Sequence, residues 1–117
     1  MNSISAYVSK HSKSSFAEML KENNIEFYEK NLFPPGTVVN ASETIEIIKA
    51  LGGASVIPAL ATVLVQWLKN KSSRKIILQT KENEVIHLEG YSVKEIENIL
   101  QKAKNLTVIQ TIPEKDL

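Results

Sequence analysis

Residues 50–68 (ALGGASVIPALATVLVQWL) contain no charged side chain, the longest such run in this 117-residue chain. Apolar surface on that scale has to leave water, either into a core that the rest of the chain builds around it or into a bilayer. Its internal punctuation favours the core. Gly52-Gly53 interrupts the run, Ser55 can cap a helix, and Pro58 then falls in the first turn, where a missing amide hydrogen costs little. From there to about residue 70, Val56, Leu60, Val63, Leu64, Trp67 and Leu68 form a broad apolar face, and Ala59, Ala61 and Thr62 form a small-residue side. At ~1.5 Å per residue this helix spans ~22 Å, short of the ~30 Å of a bilayer core. The segment reads as a buried central helix. Membrane association is the alternative, because Trp67 followed by Lys69, Lys71, Arg74 and Lys75 resembles the aromatic and cationic border of a span.

A chain of this length buries enough surface to fold without a disulfide or metal staple, and it has no Cys and only two His. Thiol nucleophiles, Cys-based zinc sites and disulfide frameworks are thereby excluded, and a reducing compartment is the default. The first fifteen residues hold six serines and no apolar core of a signal peptide, so a cytoplasmic location is expected, with peripheral membrane association as the alternative. With 14 Lys+Arg against 13 Asp+Glu the net charge is +1, unlike the strongly basic balance of dedicated nucleic-acid binders. No nucleic-acid partner is expected. The cations of residues 69–75 read as a solvated helix end that complements the helix dipole.

Along the chain, Ile4, Ala6 and Val8 alternate with polar neighbours, so residues 3–9 are either an edge strand or a tail. Ser15 and Glu18 have capping-box spacing ahead of Phe16, Met19 and Leu20, which predicts a helix over 15–23. Alternation over 25–30 predicts a strand that ends before the rigid corner Phe33-Pro34-Pro35-Gly36. Ser42 as N-cap, with Ile45, Ile48 and Leu51 behind it, predicts a helix up to Gly52. Residues 76–79 and 85–88 alternate around the turn Lys81-Glu82-Asn83-Glu84 and predict a β-hairpin. Ser92 and Glu95 repeat the capping-box spacing for a helix to residue 105, striped by Val93, Ile96, Ile99, Leu100 and Ala103. A last strand over 106–112 stops at Pro113. The expected organisation is a polar N-terminal segment or edge strand (1–14), one α+β domain (15–113) and a short tail (114–117). Its fold would be a small sheet, made of the C-terminal hairpin, the final strand and one or two N-terminal strands, under about four helices.

Motifs for chemistry are sparse. The sequence has no Walker-type loop, GxGxxG, GxSxG or HExxH. His87 shares a face with Val85 and Glu89 on its expected strand, and a His–carboxylate pair can act as a general base. A lone exposed-strand histidine reads as a surface residue. No catalytic, cofactor-binding or metal-ligating residue is assigned, and the chain is read as a non-enzyme.

One constellation carries a resemblance. Pro34-Pro35-Gly36, the Gly52-Gly53 break, the Ala/Leu-rich helix that closes on Trp67-Leu68 and a basic run, the hairpin and the Ser92-capped helix together resemble the effector-associated constant component family. The likeness covers residues 16–106 and is most specific over 60–74 (LATVLVQWLKNKSSR). It implies a non-catalytic adaptor of bacterial conflict or immunity systems that docks onto an effector or toxin-type protein, with an adjacent gene as one source of that partner. It supplies no catalytic residues. It leaves Trp67, Lys69, Lys71 and Arg74 as candidates for the partner surface, with Trp67 equally suited to the core. An immunity protein that neutralises a cognate toxin by direct binding, and a membrane-associated protein that uses residues 50–68, are the alternative functions.

Overall fold

Alternation of apolar and polar residues, rather than helical spacing, governs both the start of the chain and residues 42–48. The computed structural model describes residues 3–9, 11–30, 42–51 and 54–111. In chain order its elements are β1 (Ser3–Ser9), α1 (Lys13–Glu22), β2 (Phe27–Lys30), β3 (Ser42–Ile48), β4 (Ala50–Leu51), β5 (Ala54–Ser55), α2 (Ile57–Asn70), β6 (Arg74–Thr80), β7 (Val85–His87), α3 (Val93–Leu100) and β8 (Ala103–Gln110). Six strands make one mixed sheet in the order β2-β3-β1-β8-β6-β7, while β4 and β5 pair only with each other.

The α+β class holds, but the expected small sheet under about four helices does not. Among the described residues there are three helices over six sheet strands. The difference lies at β3, where the sequence had suggested a helix. Ile45 and Ile47 pair with Ala6 and Ile4 of β1 and are almost wholly buried, so the apolar period there is two, not three. Thr44 and Glu46, on the opposite face, are buried as well. Four consecutive buried positions, three of them β-branched, suit a strand flanked on both sides, where branched side chains pack against cross-strand neighbours. β4 and β5 then pair Ala50 with Ser55 and Leu51 with Ala54, where the glycine break between two helices had been expected. Gly52-Gly53 and the Pro34-Pro35-Gly36 corner lie outside the described residues.

β1 is the third strand of the sheet, not an edge. It runs antiparallel to β3 over all seven of its residues and parallel to β8. Each half of the sheet is a split crossover. β1 and β2 are parallel with β3 between them and α1 connecting, and β7 and β8 are parallel with β6 between them and α3 connecting. The inward residues Ile4, Ala6, Val8, Ile45, Ile47, Ile76, Leu78, Leu106 and Val108 join Phe16 and Leu20 of α1, Leu60, Leu64 and Trp67 of α2, and Ile96 and Leu100 of α3 in one core. All three helices therefore bury their apolar stripes against the same sheet face.

Element ends differ locally from expectation. α1 starts two residues early behind Ser12, whose hydroxyl donates to the carbonyls of Ser9 and Val108 and makes no cap. Ser15 is thus inside the helix, and the Ser15–Glu18 box does not form. α3 ends at Leu100, and β8 begins at Ala103, because Ala103 pairs with Thr80 across an irregularity in β6. The hairpin is as expected. Asn83 has φ of +69°, its N–H donates to Thr80 C=O at 2.9 Å, and the Thr80 hydroxyl accepts from Glu84 N–H.

Candidate functional site

The four residues singled out for partner binding sit at the C-terminal end of α2 and the start of β6, and the fold divides them. Trp67 faces inward with no exposed surface. Its Nε1–H donates to Ser15 Oγ at 3.1 Å, and its ring meets Phe16 edge-to-face with centroids 5.6 Å apart. Arg74, 5% exposed, lies with its guanidinium carbon 4.5 Å from the Trp67 ring centroid. Its Nη1 donates to Trp67 C=O at 3.1 Å and its Nε to Gln110 Oε1 at 3.0 Å. The accepting carbonyl is one of the last four of α2, which have no partner within the helix, so a cation satisfies it and the helix dipole together. Trp67 and Arg74 thus form a clasp joining α1, α2, β6 and β8. Lys69 is exposed and Lys71 partly so. These two alone of the four reach the surface.

Lys69 lies on the rim of a groove of about 290 Å³ between α2 and the start of α3. Val65, Leu68 and Leu88 supply its apolar lining, and Tyr91, Ser92 and Glu95 line it from the start of α3. A turn positions that wall. Tyr91 N–H donates to Leu88 C=O, and Gly90 between them has φ of +93°, a conformation that a side chain would strain. Tyr91 is left 40% exposed. Next to it the Ser92–Glu95 capping box is complete, with Glu95 N–H donating to Ser92 Oγ and Ser92 N–H donating to Glu95 Oε1. The Ser92 backbone N–H, and after it the Ser92 hydroxyl, hold the Glu95 carboxyl below its ordinary pKa, so the groove lining includes a carboxylate as well as the Lys69 ammonium. An apolar slot with an aromatic and two opposite charges at its lip can take an apolar side chain and orient the segment that bears it. Tyr91 and Glu95 were not among the residues expected at a partner surface; Gly90 next to an aromatic is the sequence signal that marks this wall.

The sheet face away from the helices is polar. Across it the register aligns Tyr28, Glu46, Ser5, Asn105, Gln79 and Val85, one from each strand. Glu46 is 5% exposed and accepts hydrogen bonds from the hydroxyls of Ser3, at 2.9 Å, and Ser5. Asn105 Nδ2 donates to Gln79 Oε1, and Gln79 Nε2 to Asn83 Oδ1. These groups satisfy one another. A wider and shallower depression of about 660 Å³ runs along α1 and β2, lined by residues including Lys21, Asn24, Phe27 and Glu29. His87 is exposed on β7, and Glu89 lies beyond the end of that strand, so the expected His–carboxylate face is not formed by the strand. Among the described residues, no three His, Cys, Asp or Glu side chains gather as metal ligands would, and no helix is long and apolar enough to cross a membrane.

Neither a family model, nor a curated protein, nor a solved structure matches this chain.

Proposed function

We propose that the chain is a non-catalytic adaptor that docks onto an effector or toxin-type protein of a bacterial conflict or immunity system. The sequence of residues 60–74 carries this reading, since it is the most specific part of the resemblance. The α2–α3 groove supports it by offering a place to dock. Interfaces concentrate their energy in a few aromatic and cationic side chains around a desolvated slot, and Tyr91, Lys69 and Leu68 form such a set. With Trp67 and Arg74 withdrawn into the clasp, the docking charge falls to Lys69 and Lys71, which suits a partner segment with an apolar anchor and acidic neighbours.

Co-expression of the chain with the products of the genes flanking its own, followed by size-exclusion chromatography with light scattering, tests the reading. A stoichiometric complex is expected with one neighbour. Lys69→Glu combined with Tyr91→Ala should weaken it by about 100-fold, in the range of two hot-spot losses, at an unchanged thermal midpoint. A set of neighbours that all fail to bind, or a complex indifferent to both substitutions, would refute the adaptor or the groove respectively. If the bound neighbour is a toxin and the chain alone rescues cells expressing it, the role is that of an immunity protein.

A further inference from the structure

The last strand of the sheet, β7, pairs with β6 on one side. The ladder fixes which of its backbone groups are used. Leu88 N–H donates to Ile76 C=O at 3.0 Å and Thr80 N–H donates to Glu84 C=O at 2.9 Å, so positions 84, 86 and 88 direct their backbone groups at β6. Those groups alternate along an antiparallel strand. Val85 and His87 therefore turn their N–H and C=O away from the sheet, and among the described residues no strand lies beyond them. Their side chains are open too, Val85 being 60% exposed. Such an edge is a template for another strand.

Its charge says which strand. Glu82, Glu84 and Glu89 flank β7 and are exposed. With Glu95 and Glu97, residues 82–97 carry five carboxylates against one ammonium, Lys94, although the whole chain has a net charge of +1. A second copy is a poor occupant, because antiparallel self-pairing centred on Ile86 gathers Glu82, Glu84 and Glu89 of both copies along one seam, a concentration of like charge that opposes the pairing. The same stretch of chain, continuing through Leu88 to Tyr91, becomes a wall of the α2–α3 groove.

We infer that the β7 edge accepts an extended basic segment of a protein partner as a seventh strand. Val85 and His87 supply four main-chain hydrogen bonds, and Glu82, Glu84 and Glu89 select Lys or Arg. The inference rests on the adaptor reading and adds a second, basic segment of the partner, distinct from the acidic-flanked one that the groove takes.

The probe is a synthetic peptide of alternating Lys and Val, titrated into the intact protein and followed by amide NMR and hydrogen exchange. Shifts and slowed exchange are expected at the Val85 and His87 amides. They should be absent for the same peptide with Glu in place of Lys, and for a version N-methylated at every residue, which keeps the charge and loses the ladder donors on both edges. The triple variant Glu82→Gln, Glu84→Gln, Glu89→Gln should bind the Lys peptide at least ~10-fold more weakly at an unchanged thermal midpoint. No response at Val85 and His87 up to the peptide's solubility limit overturns the inference. So does equal binding of the fully N-methylated peptide, which would make the contact charge alone. Self-association of the triple variant without peptide binding by the wild type would likewise overturn it, leaving the carboxylates the sole task of keeping edges apart. The adaptor reading is judged separately. A flanking-gene partner that binds through the groove but ignores the triple variant leaves that reading standing and removes the edge.

Discussion

Arg74 illustrates how one buried cation can hold four elements. Taking a guanidinium out of water is costly unless its donors are met, and here two of them reach Trp67 C=O and Gln110 Oε1 while the plane lies over the Trp67 ring. Charged hydrogen bonds contribute about 1.5–3 kcal/mol each, and a desolvated cation–π contact about 2 kcal/mol. Arg74→Ala removes them together and leaves Gln110 Oε1 and the α2 carbonyl short of a donor. We expect a loss of about 3 kcal/mol or more, a large share of the 5–15 kcal/mol typical of a domain's stability. Arg74→Lys should recover only part of it, since an ammonium lacks the planar fork. Thermal melts of both variants check this, and a wild-type midpoint for Arg74→Ala would show the clasp to be dispensable. From the sequence, Arg74 looked like one more member of the basic run at residues 69–75. A cation's burial depends on what packs around it, here the Trp67 ring and Gln110, and local spacing carries no trace of Gln110.

At the scale of the element, β3 shows where periodicity misleads. Ile45, Ile48 and Leu51 recur at helical spacing, yet Ile45 and Ile47 also alternate, and both patterns were present in the same seven residues. Pairing with β1 settled the choice, because it gives Glu46 two hydroxyl donors on a face that a lone amphipathic helix would have turned to solvent. That carboxylate is the register pin between β3 and β1. Glu46→Ala leaves two serine hydroxyls without their acceptor, and urea unfolding should register a loss of about 2 kcal/mol. Glu46→Gln should cost less, since an amide oxygen can still accept. In a double-mutant cycle with Ser5→Ala, about 1 kcal/mol or more of coupling is expected. Additive effects would mean that the pair is incidental to the strand. α2, by contrast, was legible in advance, since its Pro58 start, its apolar face and its end near residue 70 all follow from neighbours in sequence.

For the whole molecule the decisive feature is the central place of β1. Residues 3–9 join β3 on one side to β8 on the other, with Ile4, Ala6 and Val8 buried between the sheet and the helices. Deletion of residues 1–9 would part the remaining five strands into β2-β3 and β8-β6-β7 and expose both new edges. We expect the truncated chain to be unfolded or aggregated by circular dichroism and light scattering, and a cooperative melt near that of the intact chain would show that the halves pair without β1. The serine-rich opening disguised this role. Ser3, Ser5 and Ser9 face away from the core, where the first two meet Glu46 and the third Ser12, so a strand with one apolar face and one hydroxyl face reads in isolation like a polar tail.

Sequence alone determined the elements whose signals are local: the Pro58-started central helix, the hairpin with Asn83 at positive φ, the Ser92–Glu95 cap, and the α+β class that their mixture implies. Each depends on atoms a few residues apart, and those distances are set by the chain itself. Tertiary structure decided the rest: β3 as a strand, β1 at the centre of the sheet, Trp67 and Arg74 inside, and a groove with Lys69, Tyr91 and Glu95 at its rim. The physical reason is common to all four. Burial and hydrogen-bond partnership are set across separations such as Ser5 to Glu46 or Arg74 to Gln110, and over that range the free energy of a conformation depends on which strands meet.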